Sequence, residues 1–493
     1  MRTMTETAKK KRGMPSSFTI LLALLAIVAV ITVIVSGTTD AVTAATFSDF
    51  FTAPVKGFAN ALPVCLFVMI LGGFLGMMTE TGALDNGIAV LVQKLKGREI
   101  WIIPVLMCLF ALGGTSYGMC EETVPFYALL AATMMAAGFD PLVGAATVLL
   151  GAGCGCLGST VNPFAVGAAV DALSSKGIEV DQTIIIGLGF LLTVVTTLIS
   201  IIFVMRYAKK VKADKGSTFL SLQEQKDAEA AHGAAAAEAA KEVKLTGRQK
   251  AVLGIFAFTF VVMIVGFIPL GDLNANVAGF FDNGVYDADG NTITQAWSAV
   301  ITGLPIGQWY FDEASTWFFI MAIVIGIIGG LSEKQIVNTF ISGAADMMSV
   351  VLIIALARGI SVLMASTGLD VYVLDMAANA LAGLSGIIFA PMAYLVYFGL
   401  SFLIPSTSGM ATVSMPIMGP LAAELGFSPE VMVMIFSAAI GVVNLFTPTS
   451  GAIMGGLALA KIEWTTWLKF ALKLIVALSV VCAIILTVAC VLI

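Results

Sequence analysis

Read for the alternation of apolar and polar positions, the chain resolves into long unbroken apolar runs rather than amphipathic stripes. Such runs lie near 18–36, 61–80, 184–205, 251–270, 314–331, 349–366 and 467–491. Each has the length of a helix that crosses a hydrocarbon core of about 30 Å. Two further stretches, 141–173 and 429–460, run to 33 and 32 residues. As single helices they would reach about 50 Å, too long for the same core. Both carry Gly, Pro and hydroxyl residues near the middle, in "GCLGSTVNPF" and "NLFTPTSGA". A helix broken at midspan explains length and polarity together.

Residues 99–138 and 386–425 have the opposite problem: each consists of two apolar arms meeting at a polar tip. The arms of the first, about 14–16 residues each, are short for a full crossing. The pattern predicts re-entrant hairpins, which are tolerated only where protein buries the backbone or the tip lines a cavity.

Composition agrees with the pattern. Of 493 residues, 59% are hydrophobic and 11% charged, where soluble chains carry about 25% charged. Continuous runs exclude an outer-membrane barrel, whose strands alternate. The net charge of −6 sits mostly in loops and points to no nucleic-acid partner. The seven cysteines are scattered through apolar segments and form no disulfide framework; Cys154-Gly-Cys156 is the one close pair. The single histidine, His232, lies in a polar linker. That removes zinc–histidine chemistry and a Ser–His dyad from the membrane, and with them the obvious routes to an enzyme.

Lysine and arginine set the expected orientation. Arg2, Lys9, Lys10, Lys11 and Arg12 lead the chain, Lys94, Lys96 and Arg98 follow the second span, and ten more lie in 206–250. The loop 271–312 has none. The first apolar run is longer than the core of a typical signal peptide and reads as an uncleaved span. The expectation is a tail (1–17) and a first repeat (18–205), then a cytoplasmic charged linker (206–250) and a second half (251–493) with an external loop (271–312). The N-terminus is then cytoplasmic and the C-terminus external.

The two halves resemble each other. "LGGFLGMMTETG" (71–82) and "ARGISVLMASTG" (357–368) share Gly73/Gly359, Met78/Met364, Thr81/Thr367 and Gly82/Gly368 at an offset of 286. The tips "TSYGM" (115–119) and "STSGM" (406–410) align at 291, and Asn162-Pro163 with Thr447-Pro448 at 285. The crossings between them turn the second copy upside down. The expected fold is therefore an all-α polytopic membrane protein with inverted repeats, two re-entrant hairpins, two broken helices and about nine full spans. Such repeats mark secondary transporters, with the substrate site near the midplane at the repeat interface. A passive channel is the non-carrier alternative.

The polar residues of these breaks are the candidates for chemistry. Glu121 and Glu122 follow the first tip, beside a helix start whose positive end offsets part of their cost. Their readings are a cationic partner (an ammonium, a guanidinium, sodium or a shuttled proton) or a capping role. Thr115, Ser116 and Gly118 form the first tip, which frees backbone N–H and C=O groups. Ser406, Thr407 and Ser408, ahead of Gly409, either cap a helix or, beside freed backbone donors, seat a carboxylate. Asn162 and Thr449 add hard oxygen atoms from the broken helices. Ser159, Thr160, Asn162, Thr447 and Ser450 are hard oxygen donors that suit Na+; hydroxyls bonded back to their own helix are the alternative. Arg358 lies inside a span and needs a partner: a substrate carboxylate, or a structural pair with Glu80 or Asp370.

Four motifs, "GGTSYGMCEETVPFY", "GSTVNPF", "SGMATVSMPIMGPLA" and "NLFTPTSGAIMGGLALA", resemble the YfcC-type branch of the DcuC-like anaerobic dicarboxylate carriers, in the ion transporter superfamily. The resemblance implies a bacterial inner-membrane carrier, a homodimer, with a fixed scaffold and a moving transport domain of hairpins and broken helices, working by an elevator mechanism. It implies that the tips and breaks (Thr115, Ser116 and Gly118, Ser159 to Asn162, Ser406 to Gly409, and Thr447 to Ser450) hold a small-molecule substrate, with Na+ or H+ as coupling ion and no other cofactor. This chain has Thr-Ser-Tyr and Ser-Thr-Ser where the sodium-coupled dicarboxylate carriers repeat Ser-Asn-Thr. The charges favour a small, basic amino acid in an arginine/ornithine-like antiport; a C4-dicarboxylate carrier coupled to Na+ or H+ is the alternative.

Overall fold

The computed structural model describes residues 17–84, 86–87, 90, 98–174, 176–239, 244–268, 270–273, 275–286, 292–404 and 406–493. The basic residues of the tail, Lys94 and Lys96 lie outside the described residues. Helices account for nearly all the regular structure; a two-stranded antiparallel pair, Val285–Tyr286 with Thr292–Thr294, decorates the loop 271–312.

Among the described residues, eight helices are long and apolar enough to cross a membrane. Seven coincide with predicted spans: α1 (Ser17–Ser36), α3 (Leu62–Glu80), α8 (Gln182–Ala213), α10 (Gly247–Phe267), α11 (Phe311–Gly329), α13 (Met348–Thr367) and α19 (Trp464–Leu492). The eighth, Glu99–Tyr117, is the first hairpin arm, lengthened by a 3-10 turn ahead of α4 (Ile102–Tyr117). The arm is thus long enough to cross, contrary to expectation. Direction, not length, makes it half of a hairpin.

That direction follows from contacts along α6 (Pro141–Leu157). Gly151 meets Met107 and Gly155 meets Ala111, so α4 runs parallel to α6. Gly144 meets Leu130 and Ala131 of α5 (Val124–Ala136), so α5 runs back beside it. Both arms therefore open toward the end where α6 begins, and the tip lies at its break. In the second half, past α14 (Leu369–Leu381), α15 (Gly386–Leu403) likewise runs parallel to α17 (Pro429–Val443), through Phe389 on Phe427 just ahead of α17 and Tyr397 on Phe436. The return arm is α16 (Thr407–Glu424).

Both broken helices are present. After α6 the chain leaves helical geometry at Gly158–Asn162, resumes in one wide turn at Pro163–Gly167, and ends in α7 (Ala168–Ser174). After α17 it breaks at Asn444–Ser450 and resumes as α18 (Gly451–Leu459). Carbonyls freed by each break are taken up by the next span. Thr193 of α8 donates to Gly158 O at 2.8 Å. In the second half Trp467 and Trp464 of α19 donate to Leu445 O at 2.9 Å and Phe446 O at 2.6 Å. A buried carbonyl without a donor costs about 1–3 kcal/mol, so these side chains make the breaks tolerable.

Two helices escaped the apolar-run criterion because they are amphipathic: α2 (Phe47–Asn60) and α12 (Glu333–Asp346), each opened by a capping box. They start 286 residues apart and lead into α3 and α13, so the repeat is longer than its sequence alignment. They pack crosswise, α2 on α13 and α12 on α3. A Cβ on Gly57 would lie 2.4 Å from Gly359 N, and one on Gly343 would lie 3.0 Å from Gly73 Cα. The hairpins are exchanged in the same way: α5 packs on α18 and α16 on α7.

Within the segment 206–250, the described residues carry more regular structure than the composition suggests. α8 continues to Ala213, and α9 (Leu222–Ala239) packs on α5. The buried Glu224 accepts from Glu463 N at 2.9 Å and Thr466 Oγ1 at 3.1 Å, tying α9 to the start of α19. His232 Nε2 lies 3.0 Å from Leu459 O, and burial pushes its pKa below the ordinary histidine value. Low apolar periodicity hid this docking, which small alanine side chains make possible.

Candidate substrate site

A cavity of about 150 Å³ lies where the two breaks approach each other, walled by both hairpin tips and by α13. The first tip is shaped by Gly118, whose φ of +80° is the left-handed conformation that glycine adopts without strain. A Cβ there would also fall 2.5 Å from Asn162 Oδ1. That oxygen caps the helical turn after the first break, accepting from Phe164 N at 2.9 Å, while Asn162 Nδ2 donates to Ser159 Oγ. Tip and break therefore fit together only with glycine at 118.

Several residues singled out in the sequence meet at this cavity: Gly118, Glu121, Asn162, Arg358, Ser406, Thr407, Ser408, Thr449 and Ser450. Two helices begin at its wall, α16 with Ser406 as N-cap and α18 with Ser450 as N-cap. Helix starts present free N–H groups and a partial positive charge, an ordinary seat for an anion.

Other candidates lie elsewhere. Glu122 is buried and turned away, its carboxylate accepting from Cys120 N at 2.9 Å. One step along the 3-10 turn Glu121–Thr123 rotates a side chain by about 120°, which separates the adjacent carboxylates. Thr115 joins a hydroxyl cluster behind the cavity, 2.9 Å from Gly158 O, 3.3 Å from Thr160 Oγ1 and 3.1 Å from Thr193 Oγ1. Ser116 donates back to Leu112 O at 2.6 Å, and Gly409 N is taken by Ser406 Oγ. Ser159 donates to Cys156 O, and the buried Thr447 hydroxyl lies 2.7 Å from that of Thr449. Of the oxygens expected around sodium, only Asn162 and Ser450 belong to the cavity wall. The close cysteine pair diverges: Cys154 Sγ meets Ser200 Oγ, whereas Cys156 Sγ donates to Met119 O.

Arg358 has neither of the structural partners considered for it. Among the described residues the ion pairs are Lys56–Asp49 and Lys212–Glu99; Asp370 instead accepts from Val371 N. The cavity is thus lined by one guanidinium, Arg358, and one carboxylate, Glu121, with no ion pair within 4.0 Å between them. Each breaks the repeat symmetry: in the sequence alignments Gly72 stands opposite Arg358, and Thr412 opposite Glu121.

Sequence reading missed Asn444, Tyr127 and Phe311, which also line the cavity. Asn444 was visible as the polar opening of "NLFTPTSGA". Phe311 was not, because it comes from α11 and reaches the site only through stacking on Phe164, with centroids 5.6 Å apart.

Comparison with known proteins gives three kinds of likeness. The family model described as "C4-dicarboxylate anaerobic carrier" matches residues 38–491. A Haemophilus influenzae protein of uncharacterised function is 30% identical over 442 residues, 89% of this chain and 78% of that protein. The Escherichia coli K12 "Putative basic amino acid antiporter YfcC" is 28% identical over 428 residues, 84% of this chain and 74% of that protein. Among solved structures, Neisseria gonorrhoeae MtrF, from work on a class of antimetabolite efflux pumps, is 17% identical with a TM-score of 0.44, covering 98% of this chain and 96% of its own. The Alcanivorax borkumensis YdaH transporter is 14% identical with a TM-score of 0.48, covering 96% and 98%.

Proposed function

The chain belongs to the C4-dicarboxylate anaerobic carrier family, and from that membership we propose that it is a secondary active transporter for a small basic amino acid, working by exchange. The observation that carries this reading is the pair of unlike charges in one cavity. Arg358 and Glu121 line it without pairing with each other. An amino acid answers both charges at once: its carboxylate goes to Arg358 and the starts of α16 and α18, its cationic end to Glu121. Uncompensated charges in a membrane protein are costly, so a ligand that neutralises both is held strongly. The name of the Escherichia coli relative points the same way.

The repeat supports alternating access. In this reading α1–α3 and α11–α13 form the scaffold, and the hairpins, broken helices, α8 and α19 form a body that slides against it as an elevator. The two meet where Gly451 packs on Ile354 and Gly455 on Val350, a contact between small residues and branched side chains that suits sliding. The linker side is cytoplasmic, the C-terminus external, the membrane the bacterial inner membrane, and the carrier a homodimer. Na+ and H+ are the candidate coupling ions. It is read as a carrier, not an enzyme.

A second reading, a C4-dicarboxylate carrier coupled to Na+ or H+, has in its favour the family description and the two helix starts. It leaves Glu121 facing a substrate of its own sign. Counterflow in proteoliposomes separates the two: vesicles preloaded with arginine or ornithine, or with succinate, are followed for uptake of the labelled counterpart. Arginine–ornithine exchange that falls at least tenfold in Arg358→Ala supports the proposal. Exchange of succinate alone overturns it.

A further inference from the structure

The two broken helices carry the same kinds of polar residue, yet they dispose of them differently. At the first break the asparagine follows the break and is used by the chain itself. Asn162 Oδ1 caps the next helical turn, its Nδ2 meets Ser159 Oγ, and Ser159 Oγ in turn donates to Cys156 O. At the second break the asparagine precedes the break, opposite Ser159 in the repeat. Asn444 closes α17 with a backbone bond from its own N–H to Ile440 O at 2.8 Å. Its side chain makes no comparable bond. Among the described residues Asn444 Oδ1 is enclosed and has no hydrogen-bond partner.

Seven enclosed side-chain atoms lack a partner in this way; Asn444 Oδ1 is the one that belongs to a residue lining the cavity. The neighbouring groups cannot supply a donor cheaply. The freed carbonyls beside it already hold Trp464 and Trp467, and the hydroxyls of Thr447 and Thr449 lie against each other. Turning the amide over exchanges its ends but still leaves one of them without a protein partner. An unanswered buried amide oxygen is destabilising, and the residue that carries it lines the cavity, so a small turn of the amide brings its acceptor to that space.

We propose that Asn444 is a specificity-determining residue whose side-chain oxygen accepts an N–H from the ammonium or guanidinium group of the substrate. This deepens the amino acid reading and rests on it. An ionised dicarboxylate offers only acceptors, so it leaves that oxygen unanswered. Binding sites built around a hydrogen-bonding group discriminate strongly against ligands that lack the complement. Asn444 thus selects for nitrogen, where Arg358 and the helix starts select for carboxylate.

The test uses the full chain in proteoliposomes, with labelled arginine, ornithine and succinate, in Asn444→Asp and Asn444→Leu variants. Asp keeps the acceptor and drops the donor; Leu removes both. The expected result is a KM for arginine raised about tenfold or more in the Leu variant, largely rescued in the Asp variant. The preference for arginine over succinate should fall with Leu alone. Thermal unfolding in detergent, run with and without arginine, shows whether each variant is folded and still binds. An Asp variant as impaired as Leu overturns the proposal, because the amide then acts as a donor. Equal KM in all three proteins also overturns it while leaving amino acid exchange standing. Absence of arginine exchange in the unaltered protein overturns both readings together.

Discussion

Cys65 and Val351 occupy the same position in the two repeats, 286 residues apart, and they touch: Cys65 Sγ lies 3.9 Å from Val351 O. Equivalent residues meet only on the axis that relates their repeats. The pseudo-twofold axis that relates the repeats therefore passes between α3 and α13 at this contact. The crosswise pairs Gly57/Gly359 and Gly343/Gly73 are flanks that the same rotation exchanges.

Adding bulk at those flanks should be costly. In Gly343→Val a branched side chain would meet Gly72 O, which already lies 2.4 Å from a Cβ at that position. Overpacking of this kind costs about 1–3 kcal/mol where neighbours can move, and here the neighbour is backbone. Gly57→Val faces Ala355 O at 2.3 Å and should lose comparable stability. Gly254→Val, with nothing within 4 Å of the added atom, should not. Thermal unfolding in detergent compares the three; equal midpoints would refute the crosswise packing.

The adjacent glutamates should separate in function. Glu121→Gln removes the carboxylate that lines the cavity and should cut arginine exchange at least tenfold without lowering the unfolding temperature. Glu122→Gln weakens the bond from Cys120 N and should act mainly on stability, by roughly 1–3 kcal/mol. Counterflow and thermal melts on both variants check this. Equal loss of exchange at normal stability would mean that both carboxylates reach the substrate.

Docking of α9 should depend on pH. Burial, assisted by the charge of Lys461, holds the pKa of His232 below its ordinary value of 6.5. A depressed folded value means that the docked helix favours the neutral ring. Its contribution is fully present above about pH 6.5 and is lost as pH falls through the lowered value. Protection factors across 222–239, taken relative to the intrinsic exchange rate at each pH, should fall between pH 7 and pH 5, and His232→Gln should flatten that dependence. Unchanged protection in the unaltered protein would count against it.

The spans and breaks could be read in sequence because membrane crossing imposes length and apolarity together, and 33 apolar residues cannot cross unbroken. Helices α2, α12 and α9 could not, because amphipathic or alanine-rich segments leave no unbroken apolar run. The tips were visible as clusters of Gly and hydroxyl residues. The meeting of Arg358 and Glu121 at one cavity was not, since it depends on how the repeats interlock across more than two hundred residues. Which of two neighbouring glutamates faces inward depends on a single step of a 3-10 turn, finer than any pattern of residue types.

The two tips are held with unequal firmness. Thr115 and Met119 of the first are stitched to their own broken helix by bonds from Thr160 N, Thr160 Oγ1 and Cys156 Sγ. Among the described residues the bonds of the second tip stay within its own helix: Gly409 N to Ser406 Oγ, Met410 N to Ser406 O and Thr412 Oγ1 to Ser408 O. Considered as a pair of valves on one chamber, the first is seated hard and the second lightly. In the proposed carrier, slippage of solute is then expected to begin at the second tip, and a compound meant to jam the cycle should gain most by pinning Ser406–Ser408 in place.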